Sequence, residues 1–275
     1  MLASGFSSAV GNLLFALLVL AGFAIYLTLV RQISFRTSRT EVAPDAPPVR
    51  TFGIPEMFLA CVLILFLALN ITASFERTSP IQLNGRDLVA NFLLTLFVVF
   101  FIAGFLKLRG IDIDALCGFS RTSLKRAIST GIVLLLAAAP LIMLAEGITQ
   151  AIFGGGSSKQ EIVDLFNSSQ SIRQRVAIIV LAVVVAPISE EFIFRFFIYG
   201  VLRRYFGIAI GLVFNALLFG AAHTHLPSAL PLFVLGLCFT LAYEWSGSIL
   251  VSMAMHALFN STQLILLAFP DSLQQ

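Results

Sequence analysis

The sequence predicts an all-α protein, an integral membrane bundle of about eight transmembrane helices. Of the 275 residues, 59% are hydrophobic and 11% are charged, and the mean hydropathy is +0.98. A soluble core of this size needs far less apolar surface. A membrane helix needs about 20 mostly apolar residues. The stretches that approach or reach this length are 10–30, 54–73, 88–106, 128–151, 176–200, 208–225, 229–243 and 248–268.

We expect one integral membrane domain over residues 1–275, with the first four spans in residues 1–151. A basic linker with three prolines joins the first two spans over residues 31–50. A flexible glycine and serine stretch, 154–158, follows the fourth span. The apolar spacing over 162–166 then predicts a short helix on the membrane surface.

The basic residues lie mostly in short loops, and their distribution predicts the topology. The loops 31–50, 107–126 and 203–204 carry 11 Lys and Arg, whereas the loops on the other side carry 5. Because basic loops stay in the cytoplasm, both termini are expected outside it, in a plasma-membrane protein. The same loops explain the pI of about 9.0, so the expected partner is the lipid bilayer and not nucleic acid.

Two adjacent carboxylates and an arginine lie in an apolar stretch that begins near Val176. A charge in hydrocarbon costs about 2.5–3.5 kcal/mol on insertion scales, so each of these groups needs a reason. Residues four apart share one helix face, and Glu191 is therefore expected to pair with Arg195. Glu190 points about 100° away and has no partner nearby in sequence. Glu190 is the candidate for chemistry.

Histidines and amides mark the helices that follow. One face of the sixth span presents four residues at four-residue spacing, namely Gly211, Asn215, Phe219 and His223. His256 and Asn260 share a face of the eighth span. Such groups usually face the bundle interior and bind across helices. Each alone is more often structural, but with Glu190 they predict a polar site.

An antiparallel hairpin of the fifth and sixth spans would bring this site together. If the chain turns near residues 205–206, Glu190 and His223 lie about 15 and 17 residues from the turn, at depths only a few ångströms apart. The two side chains can then hold a water, with the glutamate as general base. His256 needs a tilted or short seventh helix to reach the same depth. Pro187 either opens the backbone beside Glu190 or forms an ordinary kink.

Three motifs occur in order on successive predicted helices: Glu190-Glu191-x-x-x-Arg195, Phe219-x-x-x-His223 and His256-x-x-x-Asn260. In this order they resemble the motifs of the CPBP intramembrane protease family. That family includes the CAAX prenyl endopeptidases of the Rce1 type and bacterial proteins once grouped with abortive-infection and bacteriocin self-immunity proteins. The resemblance covers residues 174–268, which would form the catalytic core.

The resemblance implies an intramembrane endopeptidase that acts on a membrane-associated protein or peptide. Glu190 would activate the hydrolytic water with His223. His256 and Asn260 would stabilise the oxyanion of the tetrahedral intermediate. No activated serine or cysteine accompanies these residues, so hydrolysis would proceed without a covalent intermediate.

The remaining motif residues would have supporting roles by the same resemblance. Glu191 and Arg195 would hold the helix and tune the first carboxylate, and Phe219 would support the site. Phe196 departs from the small residue that the family commonly has after the arginine. Its bulk would narrow the cavity or alter helix packing.

Metal dependence stays open at this point. The family is often named as a metalloprotease, and Glu190, His223 and His256 could complete a zinc site with one open position. A metal-free pair of glutamate and histidine is the alternative, and the chain has no HExxH zinc signature. It also lacks the GxSG and GxGD motifs of the serine and aspartyl intramembrane proteases. The cysteines have no metal-binding spacing and are expected to be small apolar residues: Cys61, Cys117 and Cys238.

Two other functions compete with proteolysis. Carboxylates and histidines in a membrane also form proton or ion relays, so a coupled transporter is one alternative. It predicts paired interrupted helices and an inverted repeat, and the sequence shows neither. The other is a catalytically silent scaffold or immunity protein. The cost of keeping Glu190 in hydrocarbon argues against it.

Overall fold

The computed structural model describes residues 2–40, 52–75, 85–153 and 171–268, and all regular elements in these ranges are helical. Seven helical runs there are long and apolar enough to cross a membrane, which confirms the predicted helical membrane bundle. The linker expected over 31–50 is wrong in its first part, because α1 continues to Thr40. The remainder of that linker and the stretches 154–158 and 162–166 lie outside the described residues. The helices are α1 (Leu2–Thr40), α2 (Ile54–Phe75), α3 (Gly85–Leu108), α4 (Ile113–Cys117), α5 (Leu124–Phe153), α6 (Ile172–Val180), α7 (Ala186–Glu191), α8 (Tyr199–Ala222), α9 (Leu226–Ser246) and α10 (Ile249–Ala268).

The fifth and sixth predicted spans form one helical run, Ile172–Ala222, of 51 residues. A straight helix of this length would be about 76 Å long, more than twice the hydrocarbon thickness. Gly207 interrupts the run with φ 81° and ψ 173°. Beyond Gly207 the chain folds back on itself. The close approach of its two arms shows this, since a Cβ on Gly211 would lie 2.9 Å from the backbone nitrogen of Arg203. The hairpin is therefore confirmed, and the single run contains two predicted spans.

Small residues let the inner helices approach closely. A Cβ on Gly22 of α1 would collide with the carbonyl oxygen of Ala137 on α5. A Cβ on Gly236 of α9 would lie 3.2 Å from the Cα of Ala216 on α8. Contacts between small residues are typical of membrane helices, where dispersion forces replace the hydrophobic effect. They hold α8 and α9 side by side, and these two helices carry much of the site.

The outer helices present apolar side chains to the surroundings. Phe58 on α2 and Phe100 on α3 are each 70% exposed. In a membrane-spanning bundle this surface faces hydrocarbon. The chain is an integral multi-pass membrane protein. The plasma-membrane location and the orientation of the termini stay predictions.

The three cysteines are free thiols. Cys61 lies on the exposed surface of α2, while Cys117 and Cys238 are buried. Desolvation by burial, with a smaller contribution from the negative charge of Asp114, raises the pKa of the Cys117 thiol to about 12. A thiol with this pKa stays protonated at neutral pH and acts as a small apolar group.

We predict that Gly207→Ala destabilises the protein by about 1–3 kcal/mol, because its backbone conformation is almost confined to glycine. A Cβ at this position would have open space around it, so the cost is conformational and not steric. Thermal unfolding in detergent measures the loss.

The matched control is Gly104→Ala on α3, where a Cβ also has open space and the backbone is helical. Alanine is favoured over glycine in a helix by up to about 1 kcal/mol, so this variant should be at least as stable as the wild type. An equal loss of stability in both variants would contradict the role given to Gly207.

Candidate active site

A buried ion pair lies at the centre of the candidate site. Arg195 Nη1 lies 3.2 Å from Glu191 Oε1, and both side chains are fully buried. The predicted pairing of these two residues is confirmed. The same carboxylate oxygen lies 3.0 Å from His256 Nδ1. Glu191 therefore connects the helix that carries the two carboxylates to α10.

Aromatic rings enclose the arginine. The guanidinium carbon of Arg195 lies 4.0 Å from the ring centroid of Phe219, 5.1 Å from that of Phe239 and 5.9 Å from that of Phe194. A guanidinium is weakly hydrated and binds ring faces through cation–π attraction. These contacts stabilise the guanidinium after it has lost its hydration, in addition to the stabilisation that the single carboxylate provides.

Phe219 and Phe239 also contact the histidines. The ring centroid of Phe219 lies 4.9 Å from that of His223 and 5.8 Å from that of His256, both in edge-to-face geometry. Phe239 stacks on His256 at 5.0 Å. Phe219 is thus shared by the arginine and both histidines. Sequence reasoning missed Phe239, since nothing distinguishes it among 27 phenylalanines.

The second carboxylate faces both histidines. Glu190 Oε2 lies 4.0 Å from His223 Nε2 and 3.8 Å from His256 Nε2. The side chains of Glu190 and His223 are 27% and 28% exposed, whereas that of His256 is 4% exposed. The predicted depth match of Glu190 and His223 is therefore present in the structure, and His256 reaches the same carboxylate. The site is partly open on the side of Glu190 and His223.

The partners of the two histidines fix which ring nitrogen carries the proton. His223 Nδ1 lies 2.8 Å from the carbonyl oxygen of Phe219, and a carbonyl only accepts hydrogen bonds. His256 Nδ1 lies 3.0 Å from the Glu191 carboxylate. We therefore assign the proton to Nδ1 in both rings. In the neutral rings, each Nε2 then directs a lone pair towards Glu190.

The distances from Glu190 Oε2 to the Nε2 atoms of the two histidines suit a bridging water molecule. A direct hydrogen bond needs about 2.7–3.2 Å, and polar atoms separated by more than about 3.5 Å are commonly bridged by water. Glu190 Oε2 is buried and accepts no hydrogen bond from the described residues. One water could donate one hydrogen to this oxygen and the other to His223 Nε2.

Asn260 binds a backbone carbonyl, that of Ala182, for which Pro187 provides no N–H donor. Two π-helical segments, Leu181–Val185 and Phe192–Ile198, flank α7. At the end of the first, the amide of Ala186 donates to the carbonyl oxygen of Leu181. Residue 187 would donate to Ala182 in the same pattern, but proline has no N–H. Asn260 Nδ2 supplies the missing donor at 2.8 Å. One of its two N–H groups is thus committed to Ala182, and the other stays available.

Phe196 contributes to helix packing. It is buried, and its ring contacts Phe52 at 5.8 Å and Phe192 at 4.9 Å between centroids. The bulky ring is thus taken up in aromatic packing between helices. These contacts join the start of α2 to the helix that carries the carboxylates.

The distances around Glu190 differ from those of a tetrahedral zinc site. Tetrahedral zinc with N and O ligands at about 2.0–2.2 Å needs ligand atoms about 3.3–3.5 Å apart. The separations of 3.8 and 4.0 Å to the histidines are wider. Among the residues that the structure describes, no group of three or more His, Cys, Asp or Glu side chains has metal-site geometry. The arrangement as it stands does not fit the ion.

Comparison with known families now identifies the segment that builds this site. Residues 172–262, about a third of the chain, match the family model described as Rce1-like, type II CAAX prenyl endopeptidase. This segment is Rce1-like. No curated protein and no solved structure matches the chain. The resemblance seen in the sequence is confirmed, and the Rce1-like segment contains all the motif residues.

We predict that Arg195→Lys destabilises the protein by about 2 kcal/mol or more, although the charge is kept. A lysine ammonium is compact and strongly hydrated, so it loses the cation–π contacts, which are worth about 2 kcal/mol when desolvated. Thermal unfolding of the purified full-length protein in detergent measures the change.

The control substitution is Arg203→Lys in a second arginine–glutamate pair. Arg203 Nη2 lies 2.9 Å from Glu244 Oε1, but the arginine side chain is 49% exposed. Exposed pairs are worth about 0–1 kcal/mol, so this variant should stay close to the wild type. A loss of stability at Arg203 as large as that at Arg195 would contradict the role of the aromatic enclosure.

Proposed function

We propose that this chain is an intramembrane endopeptidase that hydrolyses a peptide bond of a membrane-anchored protein or peptide. The Rce1-like segment supports a CAAX-type protease-like function. The single observation that carries the finer proposal is the position of Glu190, whose buried Oε2 lies within 4.0 Å of the Nε2 atoms of two histidines on two other helices.

Glu190 is the general base in this proposal. It removes a proton from a water that also donates to His223 Nε2, and the resulting hydroxide attacks the carbonyl carbon of the scissile bond. The protonated glutamate then returns the proton to the leaving amine. The proton count balances, and no covalent enzyme intermediate forms.

His256 stabilises the oxyanion. Its Nδ1–H donates to Glu191, which fixes the orientation of the ring. When Nε2 also carries a proton, its N–H is a donor on the side of the cavity that holds Glu190. The free N–H of Asn260 is the second candidate donor. Preorganised donors of this kind are each worth about 10²–10³ in rate.

An apolar groove supports a membrane-anchored substrate. It has a volume of about 640 Å³ and lies between α3 and α6, with almost entirely apolar walls. One of its residues, Leu181, directly precedes Ala182, whose carbonyl binds Asn260. An apolar segment of a substrate could therefore approach the site from the bilayer without crossing water.

The proposed mechanism proceeds through the chain's own residues, and the separations of 3.8 and 4.0 Å around Glu190 support this choice over a zinc ion. A chelator tests this part of the proposal separately. Activity that is lost with chelator and restored by zinc would show a metallo-enzyme in which Glu190, His223 and His256 move together to bind the ion.

The test is cleavage of a panel of membrane-anchored peptides by the purified full chain. We expect Glu190→Gln and His223→Ala each to lower the rate about 10²–10⁴-fold, the usual value of general acid–base catalysis. Mass spectrometry of the products locates the cleaved bond.

Glu146→Gln is the matched control. Glu146 is also a half-buried carboxylate within a membrane-spanning helix, but it accepts a hydrogen bond from Gln150 on the same helix. This variant should cleave at the wild-type rate. Cleavage by Glu190→Gln at the wild-type rate would refute the proposal. A wild-type protein that cleaves nothing would favour the scaffold or transporter alternatives.

A further inference from the structure

A second cavity lies at the other end of the bundle from the candidate site. Its volume is about 420 Å³, and it is bounded by the start of α2, the loop around α4, the end of the fifth span and the turn after α9. Arg203 at this cavity is 13 residues from Glu190, roughly 20 Å along a helix. The cavity is therefore separate from the proposed catalytic residues.

The cavity carries an excess of positive charge. Arg121, Arg203, Arg204 and Glu244 line it. Glu244 is fully engaged, because Arg203 pairs with one of its oxygens at 2.9 Å and the Tyr199 hydroxyl donates to the other at 2.8 Å. Arg121 and Arg204 form no ion pair with a described residue. Two guanidinium groups that have no counter-charge among the described residues thus face one cavity.

The fold leaves room for one of these arginines at the cavity. Gly247 closes α9 in the left-handed conformation, with φ 67°. A Cβ on Gly247 would lie 2.6 Å from Arg121 Nη1. The bare backbone of the turn therefore allows the guanidinium to lie directly over it. This places Arg121 across the cavity from the helix that carries Arg203 and Arg204.

The cavity walls combine this charge with apolar rings. Phe52 and Phe196 form part of the lining, and their rings contact one another in edge-to-face geometry. A site with aromatic walls and two guanidinium groups that pair with no described carboxylate suits an anion joined to an apolar chain. Guanidinium groups bind phosphate oxygens with two parallel hydrogen bonds.

The location favours a lipid as the source of this anion. The cavity opens at the end of the bundle where the loops 107–126 and 203–204 meet, and Arg36 of α1 reaches the same end by donating to the carbonyl oxygen of Trp245. Basic pockets between membrane helices bind anionic phospholipid headgroups. We propose that this cavity binds the phosphate of an anionic phospholipid from the adjacent leaflet, through Arg121 and Arg204.

Trp245 makes the proposal measurable, because it is the only tryptophan in the chain and directly follows Glu244. The full-length protein is placed in phosphatidylcholine bilayers that contain increasing fractions of brominated phosphatidylglycerol, which quenches nearby tryptophan. The same series with brominated phosphatidylcholine gives the reference. We expect the relative binding constant of phosphatidylglycerol to exceed that of phosphatidylcholine about threefold or more.

Substitutions assign the preference to the cavity. The double variant Arg121→Gln and Arg204→Gln should lower the binding ratio to about one, while Arg121→Lys and Arg204→Lys should keep part of it. Lys125→Gln and Arg126→Gln remove the same charge from the first turn of α5, outside the cavity, and should keep the wild-type ratio. Size-exclusion profiles confirm that each variant is folded, and the test needs no proteolytic activity.

Two results would overturn the proposal. The first is equal binding of the two lipids, or equal loss of preference in the Lys125 and Arg126 variant, which would indicate general surface charge. The second concerns a soluble source of the same phosphate chemistry. If glycerol phosphate raises the thermal unfolding midpoint through Arg121 and Arg204 while phosphatidylglycerol shows no preference, the ligand is a soluble phosphate and not a lipid.

Discussion

The structure depends above all on one ion pair that is buried in the bundle. Glu191 and Arg195 are fully inaccessible, and either charge alone in hydrocarbon would be very costly. The pair is compensated by His256 from α10, Phe219 from α8 and Phe239 from α9. Three helices must therefore pack in one register around it. That same register brings two histidines to Glu190.

The two adjacent carboxylates have different surroundings and hence different roles. Glu191 is enclosed and binds an arginine and a histidine, so it stabilises the bundle and orients His256. Glu190 is one residue further back on the helix, is partly exposed and lies near two histidines without a direct hydrogen bond. A carboxylate in that position retains its acceptor oxygen for water. The proposed chemistry of Glu190 therefore depends on Glu191, which positions the site but does not react.

Hydrophobic periodicity predicted most of the helices. Residue spacing predicted the pair of Glu191 and Arg195 and the approach of Glu190 to His223. The lengths of the apolar stretches predicted the helices, and similar numbers of residues on each side of the turn placed Glu190 opposite His223. Other features need coordinates. Phe239 cannot be recognised among many phenylalanines, and the bond from Asn260 to Ala182 depends on a π-helical turn that Pro187 interrupts. The sequence predicts the turn near residues 205–206, one residue before Gly207. The positive φ of Gly207, which locates the interruption of the helix, is visible only in the coordinates.

The most direct test of this division of roles compares the thermal stabilities of Glu190→Gln and Glu191→Gln. Glu191→Gln leaves Arg195 buried without a counter-charge and should cost about 3–5 kcal/mol. Glu190→Gln should leave stability unchanged or slightly raised, as replacements of functional groups often do. A loss at Glu190 equal to that at Glu191, or no loss at Glu191, would contradict the assignment of one carboxylate to structure and the other to chemistry.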